Sequence, residues 1–322
     1  MSHISASLPT GLSPTDIGAR VTVRVRLPEG GTEGRFTDVV GELESMDDET
    51  LAVRRRDGEL VSVAASNVVA AKAIGPSLRS AIDLEGVAAR GWPAPDSEWL
   101  GRWWLRAAGG FTARANSVRP LGDPGVDLDD ALAAVHDWYG ARGLPSQLQV
   151  VIGSSLDQEL RRRGWSAHPE VAVCTSTVSR ALGRLAELGA DASTVGVSSS
   201  PSSGWLSLFR GGDPPPAALA ILTGAPTVAF AAVANESQTL AIARGAVEAP
   251  WVGLSAIEVA ETARRQGRAR AVITAVLSWA RERGATRCYL EVLASNAPAL
   301  ALYESLGFTE HHRYACLEPP AR

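Results

Sequence analysis

Residues 254–308 constrain this chain more than any other stretch. They run through an apolar segment, a basic glycine turn, a long amphipathic segment, an alternating segment and a short capped one, in that order. A strand ending at Val259 delivers the chain to Arg264-Arg-Gln-Gly-Arg-Ala269. Residues 271–283 then read as a helix, with Val272, Val276 and Trp279 on one face, Ile273, Leu277 and Ala280 widening it, and Gly284 as its stop. The first turn of such a helix offers free N–H groups and the positive end of its dipole. Gly267 and the small Ala269 let a phosphate approach that backbone, and Arg264, Arg265, Arg268 and Arg270 add positive charge. Strand, glycine turn and helix start in series make a candidate pyrophosphate cradle. By itself a basic glycine turn is a weak signal, and the segments downstream of it in the chain give it weight.

Residues 287–293, Arg-Cys-Tyr-Leu-Glu-Val-Leu, alternate as a strand, and Ser295-Asn296 can cap a short helix that ends before Gly307. With this the order resembles the GCN5-related N-acetyltransferase (GNAT) superfamily. Arg264-x-x-Gly267-x-Ala269 matches its Arg/Gln-x-x-Gly-x-Gly/Ala acetyl-CoA signature, with Val259 at the usual offset before it. Leu-Glu-Val-Leu-Ala-Ser-Asn-Ala-Pro-Ala-Leu-Ala-Leu-Tyr-Glu-Ser-Leu-Gly-Phe, residues 290–308, looks most like the branch of ribosomal-protein alanine N-acetyltransferases. The match is specific over residues 227–317.

The resemblance implies an α+β protein with the GNAT acyl-CoA N-acyltransferase fold, a mixed and mostly antiparallel sheet with flanking helices. It implies transfer of an acetyl group from acetyl-CoA to a primary amine by direct attack, with acetyl-CoA as co-substrate and no metal. The backbone of Ile257, Glu258 and Val259 would pair with the pantetheine arm, which needs a splayed strand edge. Arg264, Arg265, Gln266, Gly267, Arg268, Ala269 and Arg270 would form the pyrophosphate turn, and Asn296 would anchor the pantetheine end. An ammonium has no lone pair to attack with, so a base must take a proton and an acid can help the thiolate leave. Tyr303, seven residues after Asn296, is the implied acid. Glu291 is the first candidate for the base and Glu258 the second. Gly253 and Ser255 stand where many relatives carry a base. A competing possibility is an acetyl-CoA-responsive regulator that docks a partner and has lost catalysis. A P-loop enzyme is excluded because the turn lacks Gly-Lys-Ser/Thr.

The 322 residues suffice for two domains, and the mild net charge of −4 fits a globular protein. No basic start precedes an apolar run and no window approaches a membrane span, so the expected location is the cytoplasm, with no membrane partner. Cys174, Cys288 and Cys316 are scattered and odd in number, against a disulfide framework or a zinc site. His311 and His312 are adjacent on an expected strand, which would send their rings to opposite faces.

Residues 1–15, polar with Pro9 and Pro14, read as disordered. Short strands come next at 21–27, 39–45, 50–55, 60–63 and 69–74, with joins at 28–31, 46–49 and Asp57-Gly58 and a helical turn at 65–68. A compact module over 16–75 resembles an SH3-like barrel, as found ahead of some actinobacterial acetyltransferases. Arg54-Arg55-Arg56 is offset by Glu42, Glu44, Asp47, Asp48 and Glu49, so nucleic acid is not the expected partner. A protein partner or self-association through the barrel stays open. Residues 76–95 read as a linker, 96–180 as an N-terminal part of the acetyltransferase region, and 181–322 as the catalytic GNAT domain. In the middle region, strands are expected at 99–106 and 111–118 around Gly109-Gly110, a helix at 128–142, a strand at 147–152, a helix at 156–163 and a strand at 171–177. Residues 191–204 and 211–217 read as surface loops around a short helix at 205–210. Trp99, Trp103 and Trp104 are expected in a core, with the acceptor pocket as the alternative. Leu156-Asp-Gln-Glu-Leu-Arg-Arg-Arg-Gly-Trp165 echoes Ala301-Leu-Tyr-Glu-Ser-Leu-Gly-Phe308, as a degenerate first copy of the fold would or as a common join would.

Overall fold

A computed structural model describes residues 11–13, 16–27 and 35–320, which form two compact units, Met1–Ser77 and Leu78–Arg322. The segment expected to be disordered at 1–15 falls mostly outside the described residues, as does the join at 28–31. The first unit holds β1 (Arg20–Arg26), β2 (Phe36–Met46), β3 (Thr50–Arg54), β4 (Leu60–Ala64) and β5 (Val68–Ala73), antiparallel in the order β4-β3-β2-β1-β5. Alternation places Val21, Val23, Leu43, Leu51 and Val53 in its core. The expected barrel is instead an open sheet: β4 and β5 end the order and do not pair across it. The arginine run is spent locally, Arg54 on Glu44 at 2.6 Å and Arg55 on Glu59 at 2.9 Å.

The second unit opens where a linker was expected. Residues 78–91 form α1 (Leu78–Gly91), whose Ala81, Leu84, Ala88 and Ala89 are buried. The prolines at 76, 93 and 95 bracket this helix rather than mark a flexible tether. A small sheet comes next, β6 (Asp96–Leu100), β7 (Trp103–Ala107) and β8 (Arg119–Pro120). Its hairpin turns at Gly101-Arg102 and not at Gly109-Gly110, because Gly101 takes φ +55° tight against Pro124. Residues 111–118 are not a strand. Asn116 holds them as a loop, accepting from the N–H groups of Ala108 and Gly110 and donating to the carbonyls of Phe111 and Thr112. Then come α2 (Leu128–Gly140), β9 (Leu148–Val151), α3 (Ser155–Arg162), β10 (Ser166–Ala167), β11 (Val171–Thr177), α4 (Val178–Glu187), β12 (Gly196–Ser198) and α5 (Ser203–Leu208). Part of the expected 211–217 loop begins α6 (Pro216–Thr223), with the last of three prolines at a position that needs no N–H. Next are β13 (Val228–Ala234), β14 (Thr239–Glu248), β15 (Trp251–Val259), α7 (Arg268–Arg281), β16 (Arg287–Leu293), α8 (Ala297–Ser305) and β17 (Thr309–Glu318).

The main sheet is mixed and mostly antiparallel. β12 through β15 pair in sequence order, β15 pairs β16 in parallel, and β11 lies between β16 and β17. β9 takes the other edge of β17, and a parallel bridge joins Val118 to Leu148. The order of elements therefore occurs twice, as strands, helix, strand, helix, strand, and each half lends its last strand to the other. α3 and α8 close alike: Gly164 and Gly307 both take φ +81°, and the N–H groups of Trp165 and Phe308 reach back to Leu160 and Tyr303.

α1 packs Leu84 and Ala88 against Val173, Tyr289 and Tyr314. Leu84→Ala is expected to lower the unfolding free energy of the second unit by about 2–5 kcal/mol, measured by urea denaturation. A loss below about 0.5 kcal/mol would return α1 to the status of a tether.

Candidate active site

β15 and β16 pair only from Trp251–Leu254 against Arg287–Leu290, although both strands run on. The separation has a local cause. Pairing between β14 and β15 slips between Ile242 and Arg244, and Ala256 takes φ +50° in the bulge. Past that point the facing edges open into a cavity of about 290 Å³, lined by residues 254–258 on one side and 290–293 on the other. Asn296, Ala299 and Tyr303 of α8 close one end, and Trp92, Arg114, Phe209 and Arg210 line the rest. Strand edges without a partner present N–H and C=O groups that a ligand's amides can take up. Ile257 and Glu258 stand on this edge as expected, whereas Val259 does not line the cavity.

The turn after β15 ends at Gly267, which caps α7 with φ +76°, and Arg265 is also left-handed at φ +60°. The first backbone bond of α7 runs from the Ala271 N–H to Gly267. Among the described residues the N–H groups of 265–270 have no backbone acceptor. α7 therefore starts three residues before the expected 271, which puts Arg268, Ala269 and Arg270 in its anion-binding first turn. The Arg268 Nε is buried without a partner, while Arg270 donates to the Leu188 carbonyl and Gln266 to that of Thr262. Arg264 is exposed and lies 3.8 Å from Glu261. The donors fit a diphosphate. Between β8 and the first turn of α2, by contrast, stand Asp123, Asp127, Asp129 and Asp130, whose charge would repel one.

Tyr303 reaches the cavity from α8, and burial raises its phenol to about 12, so it stays protonated at neutral pH and can donate. Asn296 accepts the Ala299 N–H through its side-chain oxygen, capping α8 and leaving its amide NH₂ for a ligand. Glu291 sits in a chain of alternating charge. Arg114 pairs with it, Arg119 lies 3.6 Å from its other oxygen and pairs with Glu85, and His312 meets Glu85 at 2.9 Å. The side chains of Glu85, Arg119 and Glu291 are all at most 4% exposed. Burial alone would push the Glu291 carboxyl up, but Arg114 and Arg119 outweigh it and hold it down at about 2. Glu258 differs: burial raises it against the opposing pull of the Arg210 backbone N–H and charge, and among the described residues its carboxylate accepts from that N–H alone, at 3.0 and 3.2 Å. The histidine rings do not point apart. His311 is the extra residue where β11–β17 pairing slips, so the two Nδ1 atoms come within 2.8 Å. Burial lowers both to about 4.

Neither Trp99, Trp103 nor Trp104 lines the cavity. Trp103 is buried, and Trp99 stacks on Trp104 with 5.1 Å between ring centres. The tryptophan at the site is Trp92, in the stretch expected to be linker, and Phe209 and Tyr303 line the cavity with it. Trp92, Arg114, Arg119 and Glu85 all come from outside the matched motif, and no spacing in the sequence brings them to Glu291. Among the described residues no cluster could hold a metal ion, the three cysteines are free and buried, and no helix is long and apolar enough to cross a membrane.

A bulged strand diverging from its parallel neighbour, with a glycine-capped helix after it, defines an acyl-CoA-type transferase site, and comparison with known proteins agrees. The chain belongs to the GNAT family of N-acetyltransferases: residues 80–317 match the family described as "Probable histone acetyltransferase Rv0428c C-terminal", and residues 15–72 the "Rv0428c N-terminal Sm-like domain". It is 33% identical to "Probable histone acetyltransferase Rv0428c" of Mycobacterium tuberculosis, over 95% of this chain and 96% of that protein. It is 30% identical to the "Uncharacterized N-acetyltransferase YobR" of Bacillus subtilis, over 71% of this chain and 96% of that one. A stretch of 47 residues is 51% identical to the ribosomal protein bS18-alanine N-acetyltransferase of Escherichia coli, covering 15% of this chain and 32% of the enzyme. In three dimensions the chain shares the fold of a GCN5-related N-acetyltransferase from Kribbella flavida, with TM-score 0.53 and 13% identity over 78% of this chain and 98% of that one.

Glu291→Gln would leave the half-buried Arg114 without its counter-charge and Arg119 with Glu85 alone, at an expected cost of about 3–5 kcal/mol. A carboxyl lowered on folding stabilises above its unfolded value, near 4.5, and loses that contribution as pH falls toward about 2. In urea titrations the gap between parent and variant should hold from neutral pH to about 4.5 and shrink below it. A gap that stays constant on further acidification would contradict the pairing.

Proposed function

We propose that the chain transfers an acetyl group from acetyl-CoA to a primary amine by direct attack within a ternary complex. The observation that carries this is the opening between β15 and β16, with a backbone anion cradle at residues 265–270 beyond one end and the Tyr303 phenol in its wall. The diphosphate would lie on the N–H groups of 265–270 with Arg268 beside it, and the pantetheine amides would pair with the free edge at Ile257 and Glu258. Asn296 would hold the arm near its end. Tyr303 would give its proton to the leaving thiolate.

The two carboxylates of the cavity divide the work differently from the expectation drawn from the motif. Glu291, clamped by two arginines, is a poor proton acceptor and instead holds Arg114 in the cavity wall. Glu258, raised by burial and free of any guanidinium within salt-bridge distance among the described residues, is better matched to receiving the amine's proton. We read residues 96–180 as a first copy of the fold that keeps its strands and helices and lacks an anion turn. What supports this is the repeated element order and the acidic join before α2.

Gly267→Asp sets a carboxylate against the phosphate position and is expected to abolish acetyl-CoA binding in calorimetry; unchanged affinity would remove the cradle from the site. Tyr303→Phe is expected to lower kcat by about 10²-fold or more while acetyl-CoA still binds near normally. Thiol release measured over an amine panel checks it, and an unaltered rate would strip Tyr303 of its acid role.

A further inference from the structure

The wall of the cavity opposite β16 contains an unusual piece of backbone. After α5 the chain passes through Arg210, Gly211, Gly212 and Asp213 with φ of +50°, +82°, +93° and +49°. Two glycines there are unremarkable, but an arginine held left-handed costs about 1–3 kcal/mol and persists only where its surroundings impose it. At Arg210 the imposing group is Glu258, whose carboxylate accepts the Arg210 N–H with both oxygens. The consequence is a guanidinium laid over the Phe111 ring at 5.1 Å and near the Phe209 ring at 5.9 Å. Among the described residues no carboxylate lies within 4.0 Å of it, although Arg210 lines the catalytic cavity.

The other charges of this wall are already matched. Arg114, stacked on Trp92 at 4.7 Å, is taken by Glu291, and Glu291 is shared with Arg119. If Glu258 receives the amine's proton it becomes neutral, and Arg210 is left as the uncompensated charge beside it. A stacked guanidinium keeps its edge free, and that edge matches a carboxylate in a two-point fork. The cavity is small, about 290 Å³ for the thioester end and the acceptor together, so the acceptor must be compact where it enters.

We infer that the acceptor carries a carboxylate close to its amine, as an α-amino acid does, and that Arg210 is the specificity residue that binds it. The inference rests on the acetyl-transfer reading, and its test separates the two. Initial rates of thiol release would be compared for alanine and phenylalanine against alaninamide and phenylalaninamide, each normalised to the concentration of neutral amine. In parallel, binding of the N-acetylated acids and amides to the CoA-loaded protein would be monitored by tryptophan fluorescence. The acids are expected to exceed the amides at least ten-fold in both series. Arg210→Gln should bring the acid-to-amide ratio close to one, and Arg210→Lys should retain part of it. Equal rates for acids and amides in the parent protein, or a preference that survives Arg210→Gln, would overturn the inference. No turnover of any amine, with acid-selective binding that needs Arg210, would sustain the carboxylate site and remove the transfer reading instead.

Discussion

Everything at this site depends on one interruption in a sheet. β15 and β16 are hydrogen-bonded parallel neighbours for four residues each and then part, because the bulge at Ala256 turns β15 away from its partner. A sheet interior does not tolerate unpaired N–H and C=O groups unless something else meets them. Here Tyr303 stands in the wall of the opening and β15 leads on to the helix N-terminus of α7, so a long, amide-bearing, phosphorylated molecule would satisfy several unmet demands at once. The same interruption frees Glu258 and Glu291 from tight sheet packing and lets both reach the cavity.

The second constraint is electrostatic. Glu85, Arg119 and Glu291 are almost fully buried and joined in alternating order, with Arg114 at one end and His312 at the other. Isolated charges in such surroundings are expensive, and removing any one strands its neighbour. The chain of charges crosses from α1 through β8 to β16, and its contact with the neutral His312 reaches β17, so it ties the first half of the unit to the second. The first half of the unit thereby supplies Arg114 and Arg119 to the site.

Much of this was legible in the residues alone. Alternation and glycine stops located the strands and helices of residues 227–317 closely, and Gly267 reads from the sequence as the open point of the turn, where the structure gives it φ +76° at the start of α7. Where the local code was weak, expectation and structure part. Residues 76–95 read as a linker with a short amphipathic piece between its prolines, and that piece is the helix α1, whose Ala- and Leu-lined face is buried in the second unit. Residues 111–118 alternate like a strand, yet the Asn116 side chain, accepting two hydrogen bonds and donating two, holds them in a loop. The paired histidines alternate by position, yet a bulge turns both rings together.

By itself the sequence determined the strand–turn–helix that would cradle a diphosphate, the capped helix that carries Tyr303, and hence the family. Those are properties of contiguous residues whose backbone geometry is set by their neighbours in the chain. Only the tertiary structure decided that Glu291 would be clamped by Arg114 and Arg119, that Trp92 would line the cavity, and that Arg210 would lie on Phe111. Arg114 and Glu291 stand 177 positions apart, and nothing local encodes which side chains a curved sheet and its covering helix bring face to face.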